Sequence, residues 1–429
     1  MRQRTGLSLA LAAALLAPPC ALAQLGGLRP ILPAGALGQV VTNPAGLLAR
    51  ADGVVDPAGL LNLRTERLDQ LIHAHPHALE ADDHGAPVVR GQVLALSPTA
   101  ASLAIASKAG FDVARPTQSD AVETGIVVLG APSGLSARAA VKRLRRLDPA
   151  GTYDFNHIYL PAGPAGPVAS PAGSQPDTAA AVGVRIGLID TGVDIGNPLF
   201  ADARIEQKSF AAGPTRAAPH GTEVASLLIG HGAAFRGAAP GGSLFVADVY
   251  GADPAGGAAD ALARALFWLA DRKVQVVNIS LVGPPNAVLD AAVKAIAARG
   301  ILIVAAVGND GPAAPAAYPA SYRDVIAVTG VDARGRVLFE AGHATHLDFA
   351  APGADMAAAS MRGGYVAVRG TSFAAPLVAG RLAGLAARSN RAMDALAAQA
   401  SPGRGYGRGL VAMDLRTPPA LVHAAAPIE

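Results

Sequence analysis

Gly370-Thr371-Ser372-Phe373-Ala374-Ala375-Pro376 sets a serine at the start of a helix. Phe373, Leu377, Val378, Leu382 and Leu385 follow at helical spacing. Thr371 is the expected N-cap, and Pro376 costs at most one hydrogen bond in the early turns. A serine hydroxyl is a weak nucleophile at neutral pH and needs a base beside it. Two upstream segments offer the missing groups. Leu188-Ile189-Asp190-Thr191-Gly192-Val193-Asp194 ends an apolar run, Ile186 to Ile189, that reads as a buried parallel strand with Asp190 at its carboxyl end. Open α/β sheets place their sites there. His220-Gly221-Thr222-Glu223-Val224-Ala225 opens a stretch with Val224, Leu227 and Leu228 at helical spacing. The chain thus carries an acid, a base and a nucleophile in the order Asp190, His220, Ser372.

That order and its flanking residues resemble the subtilisin-like serine proteases, the subtilases. The resemblance covers about residues 181 to 415. It implies an α/β fold with a mostly parallel sheet flanked by helices, and a serine endopeptidase that works through an acyl-enzyme without a cofactor. His220 would be the general base, and Asp190 would hold its tautomer and steady the imidazolium. Ala305-Ala306-Val307-Gly308-Asn309-Asp310-Gly311 resembles the family segment whose asparagine joins the Ser372 N–H in binding the oxyanion. Val276 to Leu281 resembles the strand lining the cleft, which makes Ser280, Leu281, Val282 and Gly283 substrate-binding candidates, with Ala317 in a later pocket wall. Phe349-Ala350-Ala351-Pro352-Gly353 and Tyr406-Gly407-Arg408-Gly409-Leu410-Val411 match further family segments.

Three positions depart from the family pattern. Val282 stands where glycine is usual, so a branched side chain narrows the pocket for the residue before the cut. Glu223 stands where many relatives carry a second histidine. It reads as a solvated helix carboxylate, with contact to the Asp–His pair as the alternative. Gly230 to Gly237 carries no carboxylate and Leu199 replaces another common calcium ligand, so no metal is expected there.

The rest of the 429 residues divides by composition. Residues 1–23 read as a signal peptide: Arg2 and Arg4, an apolar run from Leu7 to Leu16, then Ala21-Leu22-Ala23. Export to the periplasm or the medium follows from that signal. The chain's one cysteine, Cys20, lies inside it, so the mature chain would have no disulfide. No other segment is long and apolar enough to span a bilayer. Residues 24–90 form a poorly defined N-terminal pro-region, with a helix expected from Leu60 to Ile72. Residues 91–160 read as strand, helix, two strands, helix, strand, a ferredoxin-like α+β layout. Its place before the protease-like segment resembles an inhibitory pro-domain that assists folding and then blocks the cleft. The Pro/Gly/Ala/Ser tract of residues 161–180 reads as a linker holding the processing site, between Leu160 and Asp177. Residues 181–415 are the catalytic domain, and 416–429 a tail.

A net charge of only +3 gives no reason to invoke a polyanion. Lys142, Arg143, Arg145 and Arg146 read as the solvated face of an amphipathic helix whose other face holds Ala140, Val141, Leu144 and Leu147. His73, His75, His77, Glu80, Asp82, Asp83 and His84 read as a solvated loop, with a metal site or a pH trigger as alternatives. Two rivals differ in class. A non-cutting peptide-binding relative would not need both the Asp–His–Ser set and Asn309. A lipase or esterase would carry Gly-x-Ser-x-Gly, and the second glycine is Ala374 here.

Overall fold

The computed structural model describes residues 57–119, 122–162, 183–361 and 363–422. Residues 1–23, where a signal peptide is expected, residues 24–56, most of the expected linker and residues 423–429 lie outside them. The first described element is helix α1 (Pro57–Ala74), longer than expected at both ends. A short strand β1 (Leu79–Ala81) follows, then β2 (Pro87–Leu96), α2 (Ala100–Lys108), β3 (Asp112–Ser119), β4 (Val122–Gly130), α3 (Ala137–Leu147) and β5 (Thr152–His157). Strands β5, β2, β4 and β3 lie side by side in that order, all antiparallel. This is the ferredoxin-like arrangement. Strand β1 lies against the opening residues of β2, pairing Leu79 with Val89, so the sheet begins before Gly91 and takes in part of the segment that composition left undefined.

Both helices are capped from the sequence. Thr99 and Ser136 accept from Ser102 N and Ala139 N at their first turns. Ala140, Val141 and Leu144 are buried as expected; Leu147, the last residue of α3, is 47 % exposed. The histidine-acid segment is solvated only in part: His73, His77, Asp83 and His84 are exposed. Glu80 and Asp82 are buried. Asp82 accepts from the His84 and Ala86 amides and pairs with His157, 3.0 Å away. Glu80 accepts from Gly91 N and Ala137 N. Burial works against the Asp82 carboxylate, but its bonds to His157 and to the His84 and Ala86 amides outweigh that and hold it below its usual range.

After the two-residue strand β6 (Leu160–Pro161) and the linker comes β7 (Arg185–Asp190). Then follow β8 (Arg204–Ser209), α4 (Pro219–Ile229), the small hairpin β9 (His231–Gly232) and β10 (Phe235–Arg236), β11 (Ser243–Asp248), α5 (Ala259–Asp271), β12 (Val276–Ile279), β13 (Leu281–Val282), α6 (Ala287–Ala297), β14 (Leu302–Ala306), β15 (Val325–Val331) and β16 (Phe349–Pro352). The hairpin β17 (Met356–Ala359) and β18 (Tyr365–Val368) leads into α7 (Thr371–Ala386), followed by the short α8 (Ala392–Ala397).

The main sheet has seven parallel strands in the order β16-β15-β14-β12-β7-β11-β8. Strand β7 enters at the middle. The chain first builds outward to β8 and β11, then crosses to β12, β14, β15 and β16. The crevice at that reversal is where such sheets bind ligands. Asp190 ends β7, Ser280 follows β12, and Asn309 lies just past β14. Buried β-branched residues fill the inner strands, while the edge strand β8 alternates exposed and half-buried residues. Helix α7 is buried along most of its length, with Phe373, Leu377, Val378 and Leu382 at 0 % exposure. Among the described residues no helix is long and apolar enough to cross a membrane.

Candidate active site

Helix α4 begins at Pro219, so His220 sits in its first turn, pointing back toward the end of β7. His220 Nδ1 lies 2.8 Å from Asp190 Oδ1. A carboxylate can only accept, so Nδ1 carries the proton and Nε2 keeps the lone pair in the neutral ring. Thr191 N donates to the same carboxylate oxygen, 2.7 Å away. Asp190 is fully buried and His220 nearly so. Phe373 backs the imidazole, ring centroids 5.8 Å apart. Nε2 is buried and has no hydrogen-bond partner within the protein. It is a base with its lone pair unused.

Burial disfavours the His220 imidazolium. The Asp190 carboxylate, by charge and hydrogen bond, and Glu223 by charge, outweigh it and hold the ring above its ordinary 6.5. Glu223 is 5 % exposed, not solvated. Burial pushes its carboxyl up to about 7; His220 opposes that and Asp190 reinforces it. The expectation of a solvated carboxylate is therefore corrected. An i, i+3 step along a helix packed on all sides puts Glu223 in the electrostatic field of the pair.

Helix α7 is capped by Gly370, not Thr371. Gly370 has φ 138°, a conformation that only glycine adopts readily. Thr371 is already helical, and its hydroxyl donates to Gly308 O. Ser372 is therefore in the first turn. Pro376 has no N–H for the Ser372 carbonyl four residues back. The Ser280 hydroxyl takes that role, donating to Ser372 O at 2.9 Å. The Ser372 hydroxyl in turn donates to Ser280 O, 3.4 Å away. No hydrogen bond joins it to His220 Nε2, a looseness common in sites without a bound transition state.

Asn309 is bonded on one side of its amide only. Oδ1 accepts from Thr371 N at 3.0 Å, which orients the amide. Nδ2 is buried and has no partner in the protein. A buried donor left unused is costly unless something arrives to accept it.

The chain lies in its own cleft. Leu160 pairs with Val282 and Pro161 with Leu281, antiparallel. Ala162 N donates to Ser280 O at 2.9 Å. On the opposite side Tyr159 N donates to Gly257 O at 2.8 Å, and Ile158 bridges Ala258. Tyr250 Oη donates to Tyr159 O. The Tyr159 ring is fully buried against Gly283, where a Cβ would sit 2.6 Å from it, and its hydroxyl donates to Pro284 O. Ser280, Leu281, Val282 and Gly283 thus come together along one strand of peptide. Gly257 and Tyr250 form the second wall and were not singled out from the sequence. Ala317 lies across from Val282. A Cβ built on Gly308 would lie 3.3 Å from Val282 Cγ1 and 3.7 Å from Ala317 Cβ. Val282, Gly308 and Ala317 close on a slot, and Ala162, on the strand of chain that pairs with Leu281 and Val282, is 2 % exposed.

Leu199 packs onto the β9–β10 hairpin: its Cδ2 lies 2.8 Å from where a Gly232 Cβ would be. Among the described residues no group of three or more His, Cys, Asp or Glu is placed to hold a metal. His346 Nε2 donates to Val325 O, and Asp348 accepts from Ala327 N; both are structural.

The family model for the subtilase family matches residues 181–400, just over half of the chain. Subtilisin BL of Lederbergia lenta is 34 % identical over 47 % of this chain and 75 % of its own length. Thermitase of Thermoactinomyces vulgaris is 32 % identical over 56 % of this chain and 87 % of its own. Among solved structures, fervidolysin from Fervidobacterium pennivorans, a keratinolytic enzyme related to subtilisin, aligns with a TM-score of 0.65 at 19 % identity, over 80 % of this chain and 62 % of that one. At that identity it speaks for the fold. The protease domain of PatA aligns with a TM-score of 0.50 at 26 % identity, over 55 % and 94 %. The fold and site define a serine endopeptidase of α/β architecture. The chain belongs to the subtilase family.

Proposed function

We propose that this subtilase is exported and made as a zymogen that cuts itself after Ala162. The observation that carries the reading is the convergence on one atom. The Ser372 hydroxyl and the Ala162 N–H both donate to the Ser280 carbonyl oxygen, so the nucleophile and the backbone of Ala162 are neighbours.

Ser372 Oγ attacks the carbonyl carbon of the residue in that position, and its proton passes to His220 Nε2. Asp190 stabilises the imidazolium. Asn309 Nδ2 and the Ser372 N–H, at the start of α7, receive the oxyanion. The intermediate collapses as His220 protonates the leaving amine, and water then releases the acyl group by the same route in reverse. In the intact chain the scissile bond would be Ala162–Gly163, inside the interval expected from the linker. Residues up to Ala162 then remain as an inhibitor through their last strand. Val282 and Ala317 narrow the slot, so small residues are preferred before the cut, with an aromatic residue three positions earlier where Tyr159 lies. Export rests on the signal-like residues 1–23 and leads to the periplasm or the medium.

Paired fluorogenic peptides test this: one places Tyr-Leu-Pro-Ala before the cut, the other Tyr-Leu-Pro-Phe. Faster cleavage of the alanine peptide, and loss of about a millionfold in Ser372→Ala, is the expected result. Equal cleavage by Ser372→Ala would remove the nucleophile from the reading.

A further inference from the structure

Asp310 follows Asn309 directly, and two guanidiniums from far upstream meet it. Arg67 Nη2 lies 2.9 Å from Oδ1, and Arg64 Nε lies 3.3 Å from Oδ2. The three side chains are only 18 to 23 % exposed. Arg64 and Arg67 share a face of α1 with Leu60, Leu68 and Leu71, at steps of three and four. Leu60 packs onto Gly311, where a Cβ would stand 2.8 Å from Leu60 Cδ1. Leu68 and Leu71 join the core. Between α1 and the cleft wall lies a cavity of about 540 Å³, with Arg64, Arg67 and Leu68 on one side and Val282, Gly308 and Ala317 on the other.

The geometry points to a second binding site on the catalytic domain, Asp310 with Gly311, whose ligand is the doubly cationic face of the chain's own helix Pro57–Ala74. This rests on the reading of residues up to Ala162 as an inhibitor retained after self-cleavage. It adds a contact to those of strand β6 and of strand β5, whose Asp154 accepts from Ala287 N and whose Asn156 donates to Asp260. Strand β6 holds the cleft by backbone pairing and apolar contact. Helix α1 holds the rim, two residues from the slot's Gly308 wall, by charge. Two cations on one carboxylate at partial exposure are attracted strongly enough to matter and remain within reach of salt. Cleavage after Ala162 alone would not free the cleft; the α1 contact must also let go, and the free enzyme then bears an anion at the rim.

The experiment uses the full chain, as wild type and as Arg64→Gln with Arg67→Gln. Intact mass follows the cut, and peptide hydrolysis follows the appearance of activity. Both chains yield the same mature enzyme, so their final activities must agree. The expected result is an unchanged rate of cutting, with the delay between cut and activity shortened about tenfold in the double variant. Adding about 0.5 M NaCl shortens the delay of the wild type, where screening reaches only a few ångströms, and leaves the variant unmoved. Asp310→Arg combined with Arg64→Glu and Arg67→Glu restores the delay. An equal delay in wild type and double variant, or a wild-type delay indifferent to salt, overturns the second site. Should the double variant fold poorly, the salt response of the wild type still decides. A wild type that never cuts itself, or is fully active at the moment of cutting, contradicts the inhibitor reading instead.

Discussion

Glu223 is a buried carboxyl held well away from its ordinary behaviour. Its carboxyl sits near pH 7 when folded and 4.5 otherwise. Between those values the unfolded chain has lost a proton that the folded chain keeps, so this group's contribution to stability falls as pH rises through the window and stays reduced above it. Glu223→Gln, made in Ser372→Ala to prevent self-cleavage, should therefore gain stability over its parent as pH climbs from 4.5 to 7, by at most about 3 kcal/mol. Denaturant titrations at pH 4 and pH 8 check this; a gain equal at both would contradict it. In the active enzyme the same change removes a charge that favours the His220 imidazolium, so the acid limb of the kcat/KM profile should move to lower pH. Asn309→Ala should lower kcat by about 100- to 1,000-fold with little change in KM, measured on the alanine peptide. Val282→Gly should let the phenylalanine peptide approach the alanine peptide in rate. Asp190, His220, Ser372 and Asn309 could be picked out as candidates because each lies in a short contiguous motif. Glu223 was visible as a departure, but its burial depends on helices far away in sequence, and the solvated reading failed for that reason.

At the scale of elements, strands and helices were read from apolar periodicity with little difficulty, and termini were read less well. Thr371 has the chemistry of an N-cap, yet Gly370 takes the position because its φ of 138° suits no side chain. The second wall of the cleft was invisible for a related reason. Gly257 acts through its carbonyl, which every residue type possesses, so no side-chain pattern marks it. Pro376 shows how one element reaches into another. By leaving the Ser372 carbonyl without its helical partner, it creates the need for the Ser280 hydroxyl after β12. Ser280→Ala should cost about 1 to 3 kcal/mol through that unsatisfied carbonyl, by urea denaturation of the Ser372→Ala chain. A loss within error would mean the carbonyl finds another donor.

The two larger sheets meet through side chains of β5 as well as through β6: Asp154 accepts from Ala287 N, and Asn156 donates to Asp260. The ferredoxin-like layout was legible from element order, and the parallel sheet from the resemblance. Their mutual seating was not, because Arg67 and Asp310 stand 243 residues apart with no local signal linking them. Leu199 fills the region against Gly232 with apolar contact. The thermal midpoint of Ser372→Ala should be the same with and without chelator, and a fall on chelation would contradict that packing argument. The central claim is that the chain is its own first substrate, and intact mass tests it most directly. Wild type and Ser372→Ala are purified and incubated side by side. The account predicts that wild type yields a mature chain beginning at Gly163 while Ser372→Ala stays whole. A wild type that remains intact, or a Ser372→Ala chain cut at the same bond, would contradict it.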